Sequence, residues 1–371
     1  GFEFFNGGVY VAMAPDLLFL KDTDGDDRAD VRIRVLHGLD SADTHHTANS
    51  FVFDPGGGLY FQEGVFHRTQ VETPYGPQRN TDACVWRFEP RTFKFERYVP
   101  YGFANPHGHV FDRWGQDIVH DGTGAQPYHG AVMSGYVEFP QKHPHAPQVY
   151  NQRTRPCPAT EILSSRHFPD EMQDNLLVGN VIGFQGLLRY QLENKGSSIA
   201  GTELEPVFSS SDPNFRPADF EIGADGALYF TDWQNPIIGH MQHNLRDPSR
   251  DRKHGRVYRV TYEGRALSPS PKIAGAPVEK LLDLLKHPEN RVRYRARIEL
   301  SGRPSDEVLA ALKPWLQRLS PAEDNYEHNL LEGLWLHRQN NVVNEELLNR
   351  VLAAKDGRVR AAGTRVLCYW R

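Results

Sequence analysis

Two adjacent histidines, His45 and His46, stand just ahead of an alternating apolar run and a glycine turn in DTHHTANSFVFDPGGGLYFQEG, residues 43–64. A neutral imidazole is the side chain best suited to take a proton near neutral pH. The run from Ser50 to Phe53, the turn 54–58 and the strand from Leu59 to Gln62 read as a β-hairpin, which puts the histidines at the start of a strand. The same template recurs in GHVFDRWGQDIVHDG (108–122) and DFEIGADGALYFTDW (219–233). At the strand starts stand His45, His46 and Asn49 in the first copy, Asn105 and His107 in the second, and Arg216 and Asp219 in the third. Each second strand ends on an acid in one register: Glu63, Asp121 and Asp232. Imidazoles, amides, carboxylates and a guanidinium gathered together could perform acid/base work, bind a polar cofactor or hold a cation. Acids in such turns can equally hydrogen-bond backbone amides.

A second motif is DTDGDDRAD, residues 22–30, where Asp22, Asp24, Asp26 and Asp30 surround Gly25. These offer hard oxygen ligands for one structural Ca²⁺; the alternative is a solvated acidic turn. It is not an EF-hand, because Ile33 stands where the bidentate Glu would be. His240 and His243 could be metal ligands if helical. The other reading of their segment is a long polar loop, a candidate wall or lid over the site.

The elements that must position these residues repeat. From Phe53 to Phe111 is 58 positions and from Phe111 to Ile222 is 111, nearly two further steps, with a middle copy at 161–184. Short strands at this period predict an all-β propeller, and residues 9–20 read as the tail of an earlier blade. In a propeller the first strand of each blade lines the axis and the second returns, so strand starts and second-strand ends meet at one mouth. Beyond the Pro- and Ser-rich stretch 268–277 the sequence turns to Leu- and Arg-rich helical periodicity, and Arg291 to Arg358 spans 67 residues, two steps of about 33. This predicts a propeller over 1–264, a linker over 265–277 and all-α HEAT-like repeats over 278–371. Arg291, Arg293, Arg295 and Arg297 could grip an acidic partner or form a solvated face.

Composition removes several classes. A net charge of −5 gives no general attraction to nucleic acid or acidic membranes. No apolar run reaches about 18 residues, so no direct membrane insertion is expected. Cys84, Cys157 and Cys368 form neither CxxC nor a disulfide framework. The first residues lack the pattern of a signal peptide, and the chain reads as a piece of something longer.

HHTANSFVFDPGGGLYFQEGVF, ANPHGHVFDRWGQ and above all residues 215–260, FRPADFEIGADGALYFTDWQNPIIGHMQHNLRDPSRDRKHGRVYRV, resemble the PVC-type membrane-bound dehydrogenase family of planctomycetes and verrucomicrobia. That family is related to soluble quinoprotein glucose and sorbosone dehydrogenases. The resemblance implies a six-bladed TolB-like propeller, armadillo-like helical repeats and a periplasmic or otherwise extracytoplasmic location. It also implies oxidation of a sugar, polyol or alcohol hydroxyl with pyrroloquinoline quinone (PQQ), and a cytochrome c as electron acceptor. No CxxCH occurs here, so haem c would belong to a further domain.

Carried over by position, His46, nine residues before Pro55, would be the catalytic base; from the repeated acid register, Asp232 would be a second catalytic residue. With Asn105 cofactor-binding by resemblance, the clustering at the strand-start mouth would make His107, Arg216 and Asp219 cofactor-binding as well, and His45, Asn49, Glu63 and Asp121 substrate-binding. Ala104-Asn105-Pro106-His107-Gly108 resembles the relatives' Arg-Asn-Pro-x-Gly cofactor stretch with its arginine lost, for which Arg216 would compensate. The alternative is a non-catalytic carbohydrate-binding or scaffolding propeller whose helical repeats dock a partner.

Overall fold

The computed structural model describes residues 1–43, 46–123, 126–151, 154, 159–237 and 247–370. Strands β1 (Phe2–Phe5), β2 (Gly8–Met13), β3 (Asp16–Lys21) and β4 (Val31–His37) form one antiparallel sheet in chain order. Residues 9–20 are thus not the tail of an earlier blade. They are the two middle strands of a complete sheet, which β1 and β4 close on either side.

A second sheet joins β5 (Asn49–Phe53), β6 (Leu59–Glu63), β9 (Cys84–Phe88) and β10 (Phe95–Val99), with the hairpin β7 (Arg68–Val71) and β8 (Gln78–Thr81) inserted between. The third holds β11 (Pro106–Phe111), β12 (Asp117–Asp121) and β13 (Gln126–His129). The fourth holds β14 (Thr160–Ile162), β15 (Leu176–Asn180), β16 (Gly186–Lys195) and β17 (Ser198–Ser209). The fifth holds β18 (Pro217–Ile222), β19 (Leu228–Asp232) and β20 (Arg256–Val260).

The first strands of successive sheets neighbour one another, β1 with β5, β5 with β11, β11 with β14 and β14 with β18. That is the arrangement of propeller blades around an axis. The period of two explains the packing, since each middle strand sends alternate side chains into different gaps. On β6, Phe61 joins Phe5, Phe53 and Trp86 between the first two sheets. Its neighbour Tyr60 joins Phe111, Val119 and Tyr128 between the second and third. On β15, Leu176 and Val178 pack toward the third sheet while Leu177 packs toward the fifth with Phe220 and Phe230. Truncating one of the buried aromatics to Ala costs about 3–5 kcal/mol.

The remainder is helical: α1 (Val278–Leu284), α2 (Asn290–Ser301), α3 (Ser305–Gln317), α4 (Tyr326–Gln339), α5 (Glu345–Leu352) and α6 (Gly357–Tyr369), sharing a core of Leu281, Leu312, Trp315, Leu331 and Val359. None of the described helices is long and apolar enough to cross a membrane. The helices cover the hairpin-turn end of all five sheets. Asn6 donates its amide to Ser301 Oγ (2.8 Å), Arg338 pairs with Asp54, and His328 Nε2 donates to Arg113 O (3.1 Å). The Asn290 amide donates to Ser164 Oγ (2.8 Å), and Arg291 to Ala224 O (2.9 Å).

The arginines of α2 each pair with a carboxylate of this chain, Arg295 at the solvent-exposed end of the helix–sheet contact. Arg293 and Arg297 reach the buried Glu332 at 3.3 and 2.8 Å, Arg291 reaches Glu289 at 2.5 Å, and Arg295 reaches Glu221 of β18 at 3.1 Å. Buried guanidinium groups persist when each meets a carboxylate.

Candidate site at the strand-start end

The repeated register seen in the sequence is a repeated hydrogen bond. The amide following each second-strand acid donates to the residue ahead of the first strand: Gly64 to His46 O (3.1 Å), Gly122 to Asn105 O (2.7 Å) and Trp233 to Arg216 O (3.3 Å). His46, Asn105 and Arg216 therefore occupy equivalent places in the second, third and fifth sheets. All three lie at the end opposite the helices.

The acids themselves hold backbone. Asp121 accepts from the amides of Ala104 (2.6 Å), Asn105 (3.1 Å) and Thr123 (3.1 Å). Asp232 Oδ1 accepts from the Arg216 and Gln234 amides, both at 2.8 Å, while Oδ2 lies 2.7 Å from Arg256 Nε. Glu63 is 1% exposed and accepts from Thr69 Oγ1 (2.8 Å) and Trp86 Nε1 (2.5 Å), with His67 at 3.4 Å. For Asp232, expected as catalytic, and for Glu63 and Asp121, expected on substrate, the oxygens are thus taken up inside the fold.

His46 and Asn105 come together. The ring is 8% exposed; Nδ1 lies 2.8 Å from Asp43 Oδ2, and Nε2 meets Asn105 Oδ1, while Asn105 Nδ2 donates to Thr123 Oγ1. A carboxylate on Nδ1 holds the proton there, and Nε2 becomes a base when Asn105 turns its oxygen away from it. Rotation of the Asn105 amide offers Nε2 either a donor or an acceptor. Asp43 was not singled out in the sequence, although its place three residues ahead of His46 was the available signal.

Arg216 is 5% exposed, donates from Nη1 to Phe215 O (2.7 Å), and leaves Nε without a hydrogen-bond partner among the described residues. His107 is open to solvent, yet protein around it strips the ring of bulk hydration, and with the Gly1 ammonium nearby its pKa falls to about 4. Asn49 is spent locally, donating to Thr47 O (2.9 Å) and accepting from Ser50 (2.8 Å). His45, His240 and His243 lie outside the described residues.

Asp219, with φ of 50°, belongs to a group that the sequence did not reveal. Glu3, Glu161 and Glu221 join it where β1, β14 and β18 approach α2. Desolvation pushes all four carboxyls up, and mutual repulsion adds to this for Glu161 and Glu221, against the pull of Arg295. The only visible signal was the Asp219/Glu221 alternation on one strand.

In the β3–β4 turn, oxygens of Asp22, Asp24 and Asp30 lie within 4.8 Å of one another. Asp22 is held by the amides of Gly25 (2.7 Å) and Asp27 (2.9 Å), and Asp30 by Thr23. Asp26 is not in the group; its carboxylate instead accepts from the Arg28 amide (2.9 Å). Three carboxylates at this spacing suit a hard cation such as Ca²⁺.

Among solved structures the chain is similar to a luciferin-regenerating enzyme, 13% identical over 72% of this chain and 77% of that one, TM-score 0.45. It is also similar to a glucose dehydrogenase (16%, 70% and 78%, TM-score 0.41) and to the PQQ domain of pyranose dehydrogenase from Coprinopsis cinerea (11%, 62% and 89%, TM-score 0.28). Likenesses this distant decide nothing about chemistry. No curated protein matches the sequence. The model of a domain of unknown function, DUF7133, matches residues 1–154 and 124–264, and the chain belongs to that family.

Proposed function

We propose that this chain is an oxidoreductase of the quinoprotein type that oxidises a sugar or alcohol hydroxyl. The observation carrying this reading is the Asp43–His46 pair, a carboxylate-oriented imidazole at the strand-start end beside Asn105. His46 Nε2 takes the hydroxyl proton of the substrate, and Asp43 stabilises the imidazolium that forms. Asp121 keeps Asn105 in place through its backbone amides. A buried guanidinium with an unspent Nε fits an anionic quinone, so Arg216, with Asn105, would hold PQQ. Bound PQQ would supply the two-electron acceptor. Ca²⁺ at Asp22, Asp24 and Asp30 would be structural, since that turn lies away from His46.

By the family resemblance, the protein is periplasmic, its propeller is six-bladed and is followed by HEAT-like repeats, and its electrons pass to a cytochrome c.

The test is dye-linked oxidation of a panel of sugars and alcohols after incubation with PQQ and Ca²⁺. Activity lost in His46→Ala supports the reading; no PQQ-dependent turnover on any substrate overturns it. The second reading is a non-catalytic carbohydrate-binding propeller. It is favoured by the consumption of Glu63, Asp121 and Asp232 in structural bonds.

A further inference from the structure

Phe66 carries two costs at one position. Its ring is 69% exposed, and its backbone has φ of 72°, a region that bulky residues avoid. The conformation is enforced from outside the loop. Asp82, itself at φ 66°, accepts the Phe66 amide on its carboxylate (3.2 Å) and donates its own amide to His67 O (2.7 Å). Two strained residues brace each other, and what they present to solvent is a flat aromatic ring. The Phe66 ring meets the His46 ring edge-on, with centroids 5.8 Å apart.

Strain of this kind persists where the surroundings over-determine it, and an observed outlier beside a candidate base is a pointer to function. In the fifth sheet another exposed aromatic, Trp233 at 46%, follows Asp232, with Gln234 next to it at φ 42°.

The geometry assigns Phe66 as the platform on which the substrate's ring rests. This deepens the sugar-oxidising reading and rests on it. A pyranose has an apolar face of C–H groups and a rim of hydroxyls, so stacking that face on an exposed aromatic surface delivers a rim hydroxyl to the nearby His46 Nε2. The substrate class is then a cyclic sugar rather than an open-chain polyol or simple alcohol. Phe66 selects among substrates and performs no proton transfer.

The experiment measures binding by calorimetry, with and without PQQ, of methyl glucopyranoside and of sorbitol, which has hydroxyls but no ring. Phe66→Ala is expected to weaken methyl glucopyranoside binding about tenfold, Phe66→Trp to retain it, and sorbitol binding to stay unchanged. Phe66→Gly controls for folding: relief of the left-handed strain should raise the melting temperature while binding is lost. Equal affinity for methyl glucopyranoside in wild type and Phe66→Ala overturns the platform and leaves the oxidoreductase reading standing. Phe66-dependent binding without turnover does the reverse. No binding of methyl glucopyranoside by the wild-type protein overturns the platform outright.

Discussion

Arg338 and Asp54, 284 residues apart in sequence, form a buried ion pair in which one guanidinium nitrogen meets both carboxylate oxygens, at 2.8 and 3.0 Å. The same guanidinium reaches Glu89 at 2.8 Å and lies over the Tyr369 ring, which also carries Arg87 at 3.7 Å. Removing one partner strands a charge in the interface between sheets and helices. Arg338→Met should destabilise by about 3–5 kcal/mol in urea unfolding, and adding Asp54→Asn should recover part of that loss.

Acid should dissolve the same interface. Burial alone would raise the Asp54 carboxyl, but Arg338 and Arg87 override it and hold it below the usual carboxylate range. Asp117 behaves likewise against burial, with Arg365 and His109 as its partners. Folded pKa values below the unfolded ones mean stability that is full above about pH 4 and is lost as pH falls further. Urea midpoints measured from pH 6 down to about pH 2.5 should drop steeply below pH 4, and Arg365→Met should flatten part of that drop.

If Asp43 orients His46, then Asp43→Asn should lower kcat in the dye-linked assay by about 10²-fold while leaving KM nearly unchanged. A matched loss in KM alone would make Asp43 a binding residue.

Asp121 satisfies three amides, so Asp121→Ala should cost about 1–3 kcal/mol in thermal or urea unfolding. It should also loosen Asn105, which makes sugar binding fall further than stability alone explains.

Calcium at a hundred times its Kd should stabilise the wild-type protein by about 2.7 kcal/mol, read as a rise in melting temperature. Asp22→Ala should abolish the response. Asp26→Ala should leave most of it, because that carboxylate lies outside the group.

The hairpins at 50–63, 108–121 and 219–232 were legible because two-residue alternation and Gly-containing turns are local signals. The first sheet was not, since its strands lack the acid-ended template. What each acid does was equally hidden. Glu63, Asp121 and Asp232 share one register, but whether a carboxylate faces open space or a neighbouring amide is fixed by the incoming strand start, a tertiary feature. The arginines of α2 misled for a related reason. Alternate residues on a helix point to different sides, so Arg293 finds Glu332 in α4 while Arg295 finds Glu221 in a sheet. Phe66 could not be noticed from sequence at all, because neither its exposure nor its backbone angle has a compositional mark.

Propellers usually keep their circular form because the last blade clasps the first. Here the first hairpin turn of each sheet is pinned separately to one helical scaffold, from Asn6 on Ser301 to Ala224 under Arg291. The helices work as a jig that sets the angle between successive sheets. The curvature that brings His46 and Asn105 together therefore does not depend on the ring's two ends meeting.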